Sequence, residues 1–87
     1  INNPVKDKLA RGEAVFGGSC GVTDELANRW TVKTGIDFLW IDTEHSPFSI
    51  EDVRMLPVIA RQAGCMPMIR IAGLDPNLTK KALDIGA

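Results

Sequence analysis

Three short apolar runs, at residues 14–20, 37–43 and 65–71, are separated by stretches whose apolar residues return at helical spacing and which stop at a glycine. This alternation constrains the fold more than any other feature. Strands and helices bury their apolar residues with different periods, about 2 and about 3.6, so the chain must build both. Strands that alternate with helices through short turns form right-handed βαβ units on a parallel sheet. The runs are apolar on both faces, as expected of a sheet covered on both sides.

Local signals set the expected boundaries. Asn3 or Asn2 caps a first helix with Pro4 in its first turn, and Val5, Leu9 and Ala10 recur until Gly12. In the run 14–20, Gly17 and Gly18 either bend the backbone or admit a close neighbour. Thr23 or Asp24 opens a second helix to about Thr34, with Leu26, Ala27 and Trp30 on one side and Gly35 as its stop. Ser49 and Asp52 form a capping box for a third helix, in which Ile50, Val53, Leu56, Ile59, Ala60 and Ala63 keep the period up to Gly64. Pro57 lies inside that pattern and predicts a kink. Pro67 belongs near the start of the third strand. Asp75 caps a last helix from about Asn77, with Leu78, Ala82, Leu83 and Ile85 as its apolar positions. Trp30 and Trp40 are expected in the core.

The order is therefore one helix and then strand–helix three times. Such a chain is either a small open α/β layer or the first three units of a larger structure. The absence of a further strand after Gly86 and Ala87 favours the second, an eight-unit barrel. Residues 1–87 are then the N-terminal part of one (β/α)8 domain.

Composition narrows the function. The chain has 87 residues, 45% of them hydrophobic and 24% charged, with a net charge of -1. That charge removes the electrostatic case for nucleic acid or an anionic membrane as partner. No apolar run approaches the roughly 18 residues of a membrane span, and the N-terminal stretch lacks a signal-peptide core. Cys20 and Cys65 have no C-x-x-C spacing and are expected to be reduced thiols in a cytoplasmic protein.

The chemistry-bearing residues gather at strand ends. The second run closes on Asp42, Glu44 and His45, the only histidine. Charged groups there imply a polar pocket, because an unpaired buried charge costs several kcal/mol. Asp42 can accept the imidazole N–H of His45 and leave the other nitrogen to act as a base; alternatively a loop carbonyl simply satisfies the ring. Arg70 interrupts the third run and shares a face with Met68, while Ile69 and Ile71 take the other. Its guanidinium requires an anionic partner, either a protein carboxylate such as Glu44 or the carboxylate of a substrate. With Glu44 and Arg70 as a structural pair and His45 as a loop anchor, the chain would be a non-catalytic α/β module.

The stretch D-F-L-W-I-D-T-E-H-S-P, Arg70 in M-I-R-I, and D-P-N-L-T-K-K-A-L-D-I-G-A together resemble the HpcH/HpaI aldolases, metal-dependent class II pyruvate aldolases. The resemblance covers nearly the whole chain. It implies a (β/α)8 TIM barrel that cleaves 4-hydroxy-2-oxo acids to pyruvate and an aldehyde, or runs the reverse addition, in the catabolism of aromatic or sugar acids. On that basis the resemblance implies that His45, oriented by Asp42, takes the proton of the 4-hydroxyl through a metal-bound water, and that Arg70 meets the pyruvyl oxygen as the enolate forms. A divalent cation, Mg2+, Mn2+ or Co2+, is implied, with a Glu and an Asp on later strands as its ligands and none within these residues. Glu44 is expected behind the reacting groups rather than on the metal. The resemblance also implies a homo-oligomer, commonly a hexamer. Many members carry an aromatic residue on the first strand, where this chain has G-G-S-C; Gly18 and Ser19 there either contact substrate or form a plain strand-to-loop turn.

Overall fold

The predicted order of elements is the order the chain adopts. The computed structural model describes residues 3–19, 23–45 and 47–87. It contains α1 (Pro4–Ala10), β1 (Gly17–Ser19), α2 (Glu25–Val32), β2 (Phe38–Asp42), α3 (Leu56–Gln62), β3 (Met66–Arg70) and α4 (Pro76–Asp84). The strands form one parallel sheet in the order β1-β2-β3. Phe38, Trp40 and Asp42 stand beside Met66, Met68 and Arg70, and Gly17 and Ser19 stand beside Phe38 and Trp40. Strand alternation therefore puts all of these on one face.

The opposite face carries the core. Leu39 and Ile41 are fully buried there, against Val32 of α2 and Val53, Leu56, Ile59 and Ala60 in and before α3. Right-handed crossovers place successive helices on the same side of a parallel sheet, which explains the one-sided layer. Phe38, Trp40, Met66 and Met68 on the other face are only partly buried. Each helix returns to the sheet through a glycine: Gly35 (φ +88°) before β2 and Gly64 (φ +75°) before β3 adopt the left-handed conformation that stops a helix.

Several caps form as read. Asn3 Oδ1 accepts the Lys6 N–H (3.1 Å), Asp24 rather than Thr23 caps α2 by accepting the Ala27 N–H (2.9 Å), and Asp75 accepts the Asn77 N–H (2.9 Å). The Ser49–Asp52 box also closes in both directions, with Ser49 N–H to Asp52 Oδ2 at 2.9 Å and Asp52 N–H to Ser49 Oγ at 3.2 Å. It does not start the helix, however. Residues 50–55 make turns, and α3 begins at Leu56. Pro57 thus sits in the first turn, where its missing N–H has no intrahelical partner to lose, and the expected kink has no cause.

Other expectations change for reasons of packing. β1 is limited to Gly17–Ser19; residues 14–16 precede it, and Cys20 lies outside the described residues. α2 buries Asn28 and Val32, whereas Leu26 and Trp30 are 65% and 66% exposed. Docking against α3 selects the Asn28–Val32 stripe, and the Asn28 side chain can enter because its amide donates to the Asp24 carbonyl (2.8 Å). Trp30 is therefore a surface residue, with the Lys33 ammonium 5.3 Å from its ring centre. On α4 the buried position is Ala82, and Leu83 faces outward.

Candidate active site

Arg70 ends β3 directly beside Asp42, which ends β2. The Arg70 carbonyl accepts both the backbone N–H of Thr43 (3.0 Å) and the Thr43 hydroxyl, which ties the two strand ends together. Its guanidinium turns back over the face of Trp40, 5.1 Å from the ring centre, and Nη1 stands 3.8 Å from Asp42 Oδ2. That separation lies outside hydrogen-bond range, so the carboxylate supplies opposite charge without taking a guanidinium N–H in a direct bond.

Asp42 also builds the loop that follows. Its Oδ1 accepts the backbone N–H groups of Glu44 (2.8 Å) and His45 (2.9 Å), a turn closed by an aspartate side chain. The His45 N–H bond holds the Asp42 carboxyl below its ordinary range, aided by the Glu44 N–H and the charge of Arg70, while partial desolvation opposes the shift. The imidazole itself meets a different carboxylate: His45 Nε2 is 2.8 Å from Glu44 Oε1. The expected Asp42–imidazole contact is thus replaced by Glu44. Wrapping the backbone around Asp42 carries the histidine ring outward, where its side chain is 66% exposed.

The same geometry rearranges the alternative ion pair. Glu44 engages His45, and the acidic neighbour of Arg70 is Asp42, because parallel register places strand residue against strand residue while Glu44 lies in the loop beyond. A Glu44–Arg70 pair of the kind a non-catalytic module would use is not what these side chains form.

On β1 the two candidates point to opposite faces. Ser19 pairs with Trp40 and faces the site; Gly18 pairs with Leu39, and a side chain there would meet Ile36 Cδ1 at 3.2 Å on the helix side. Gly18 can present only backbone to a ligand. Gly17 takes the second of the two roles open to it, admitting a close neighbour, since any Cβ there would collide with the Phe38 ring. Trp40, expected in the core, is half-buried beneath Arg70. Only the register of β2 and β3 reveals that stacking.

Among the described residues, no group of three or more His, Cys, Asp or Glu side chains could hold a metal ion. Asp42 is committed to the loop N–H groups and Glu44 to His45. A cavity of about 430 Å³ between α2 and α3, lined by Val32, Gly35 and Ile59 among others, opens at the N-terminal end of β2 and includes none of the site residues.

No family model matches the chain. Individual proteins do. A 2-keto-3-deoxy-L-rhamnonate aldolase of Escherichia coli O17:K52:H18 is 35% identical over 88 aligned residues, covering 100% of this chain and 33% of that protein. A pyruvate aldolase of Rhizobium etli is 36% identical, over 97% of this chain and 33% of that protein. Among solved structures, an HpcH/HpaI aldolase from Desulfitobacterium hafniense DCB-2 superposes with a TM-score of 0.86 at 29% identity, over 99% of this chain and 34% of that one. The citrate synthase SbnG gives 0.86 at 30% identity, over 99% and 35%. The chain thus spans about a third of the length of the curated relatives it matches. With the strand–helix order, the parallel register and these likenesses in agreement, the chain is similar to the HpcH/HpaI aldolases and has the fold of the first helix and first three βα units of their TIM barrel.

Proposed function

We propose that the full-length protein is a carbon–carbon lyase that cleaves a 4-hydroxy-2-oxo acid to pyruvate and an aldehyde, and that residues 1–87 are the N-terminal part of its single barrel domain. The observation that carries this reading is Arg70, whose guanidinium is held at the C-terminal end of the sheet over Trp40 and 3.8 Å from Asp42. Barrel enzymes assemble their sites at that end.

In the proposed reaction a base takes the 4-hydroxyl proton, the C3–C4 bond breaks, the aldehyde leaves, and the electron pair passes into the enolate of pyruvate. Protonation at C3 then gives pyruvate. His45 is the base, with Nε2 against Glu44 and Nδ1 available for the proton. Asp42 positions His45 through the loop backbone. Arg70 meets the oxygen on which enolate charge develops, and a preorganised cation acts there without waiting for solvent to reorganise. Ser19, on the same face, and the Gly18 backbone border the substrate. The addition of pyruvate to an aldehyde uses the same groups in reverse.

A divalent cation, Mg2+, Mn2+ or Co2+, belongs to this reading, with its ligands outside residues 1–87; when bound it polarises the 2-oxo group. The proposed partners are the 2-oxo acid and the aldehyde, with further copies of the chain in a homo-oligomer, a hexamer, in the cytoplasm. No helix among the described residues is long and apolar enough to cross a membrane.

The test supplies the full-length protein with divalent cation and a panel of 4-hydroxy-2-oxo acids of differing aldehyde portion. Pyruvate is measured by coupled reduction to lactate. Metal-dependent pyruvate release is the expected result; no release from any member of the panel, by protein that is folded and metal-loaded, would reject the reading.

A further inference from the structure

We propose that Trp40 is a positioning residue of this site, a platform that holds Arg70 ready for the carboxylate or 2-oxo oxygen of an oxo acid. The inference rests on the function proposed above and adds to it a residue that contacts the arginine rather than the reacting atoms. Three observations converge. The guanidinium carbon lies 5.1 Å from the Trp40 ring centre, within the roughly 6 Å over which a cation is attracted to an aromatic face. Trp40 stands between Ser19 and Met68 in register, so a small residue on the β1 side leaves space for the indole on the site face. Asp42 is one step further along the same face, yet its carboxylate stays 3.8 Å from Nη1.

The last distance gives the platform its purpose. An arginine beside a carboxylate tends to close into a bidentate pair, which would occupy the N–H groups that a substrate needs. Stacking on Trp40 offers the guanidinium a second resting place. It keeps the planar fork off Asp42 and removes rotamers that binding would otherwise have to restrict. Without the ring, Arg70 is expected to settle on Asp42.

The experiment uses the full-length enzyme with Trp40→Leu, which removes the π face, and Trp40→Phe, which keeps one. Trp40→Leu is expected to raise KM for the 4-hydroxy-2-oxo acid about tenfold, with a smaller change in kcat and an unchanged Tm, and to weaken pyruvate binding by calorimetry about as much. Trp40→Phe should stay within about threefold of wild type. In an Arg70→Lys background, the effect of Trp40→Leu should shrink to about twofold, because the compact ammonium lacks the planar fork that stacks. The inference is overturned if Trp40→Leu leaves both KM and pyruvate binding unchanged, if Trp40→Phe is as damaging as Trp40→Leu, or if the two substitutions act additively. Those failures stay distinct from failure of the parent reading. Loss of activity in Arg70→Ala with a silent Trp40→Leu removes only the platform, whereas full activity in Arg70→Ala removes the site itself.

Discussion

Strand β2 is bracketed by two aspartates whose surroundings differ in kind. At its N-terminal end Asp37 is locked on every side: Lys8 Nζ stands 2.6 Å from Oδ1, the Phe16 N–H donates to Oδ2 (2.9 Å), its own N–H donates to the Phe16 carbonyl (2.6 Å), and its carbonyl accepts from Met66 (2.9 Å). That network fastens α1 and the entry to β1 onto the middle of the sheet. At the C-terminal end Asp42 closes the next loop, but its cationic neighbour Arg70 is held at 3.8 Å. The carboxyls are comparably sheltered, 14% and 23% exposed, and both are pushed below their ordinary range. Burial and acidity therefore do not tell them apart. The difference lies in whether the partner is engaged or left able to bind something else, and in a barrel these two ends are the stabilising and the chemical ends respectively.

Substitutions can break or sharpen this contrast. The largest effect is expected at Arg70: Arg70→Ala should lower kcat/KM of the full-length enzyme by about 100-fold to 1000-fold, with the thermal midpoint nearly unchanged. Comparable activity in the variant would put both ends of β2 on the same structural footing. His45→Ala comes next, with a loss of about 100-fold in kcat. Because the ring is 66% exposed, urea denaturation should show almost no change in stability. A larger stability loss than activity loss would make His45 a loop anchor.

At the other end the balance inverts. Gly17→Ala forces a Cβ into the Phe38 ring and should cost about 1–3 kcal/mol in chemical denaturation, recovered in part by adding Phe38→Leu. Little recovery would mean that the backbone, not the ring, rejects the side chain. The smallest and most selective effect is expected for Asp37→Asn. The Lys8 bond is the main reason that the Asp37 carboxyl is lowered below 3.8, helped by the Phe16 N–H. A lowered carboxylate stabilises the fold above its unfolded pKa and loses that contribution as pH falls through the folded value. Asp37→Asn should therefore lower the urea midpoint at neutral pH and flatten its fall below about pH 4, with kcat/KM retained. An unchanged acid limb would show that the Lys8–Asp37 contact contributes nothing to folding.

Much of this was legible in the chain. The apolar runs placed the three strands, the glycines Gly35 and Gly64 marked where helices stop, and Asn3 and Asp75 capped as their side chains allow, because these signals act over four or five neighbouring residues. Asp42, Glu44, His45 and Arg70 stood out because charge at the end of an apolar strand needs a reason. Their pairing did not. Which carboxylate meets His45 depends on how the loop wraps around Asp42, and which helix stripe is buried on α2 depends on where α3 lies.

The sequence by itself determined the order of elements, the parallel α/β class and the chemical types gathered near the ends of β2 and β3, since periodicity, capping and the cost of buried charge are local properties. Only the tertiary structure decided that Glu44 takes the imidazole, that Asp42 stands off Arg70, that Trp40 lies beneath the guanidinium while Trp30 faces solvent, and that Gly17 makes room for Phe38. Each of those depends on register between strands or docking between helices, where residues far apart in the chain meet at distances that no local pattern encodes.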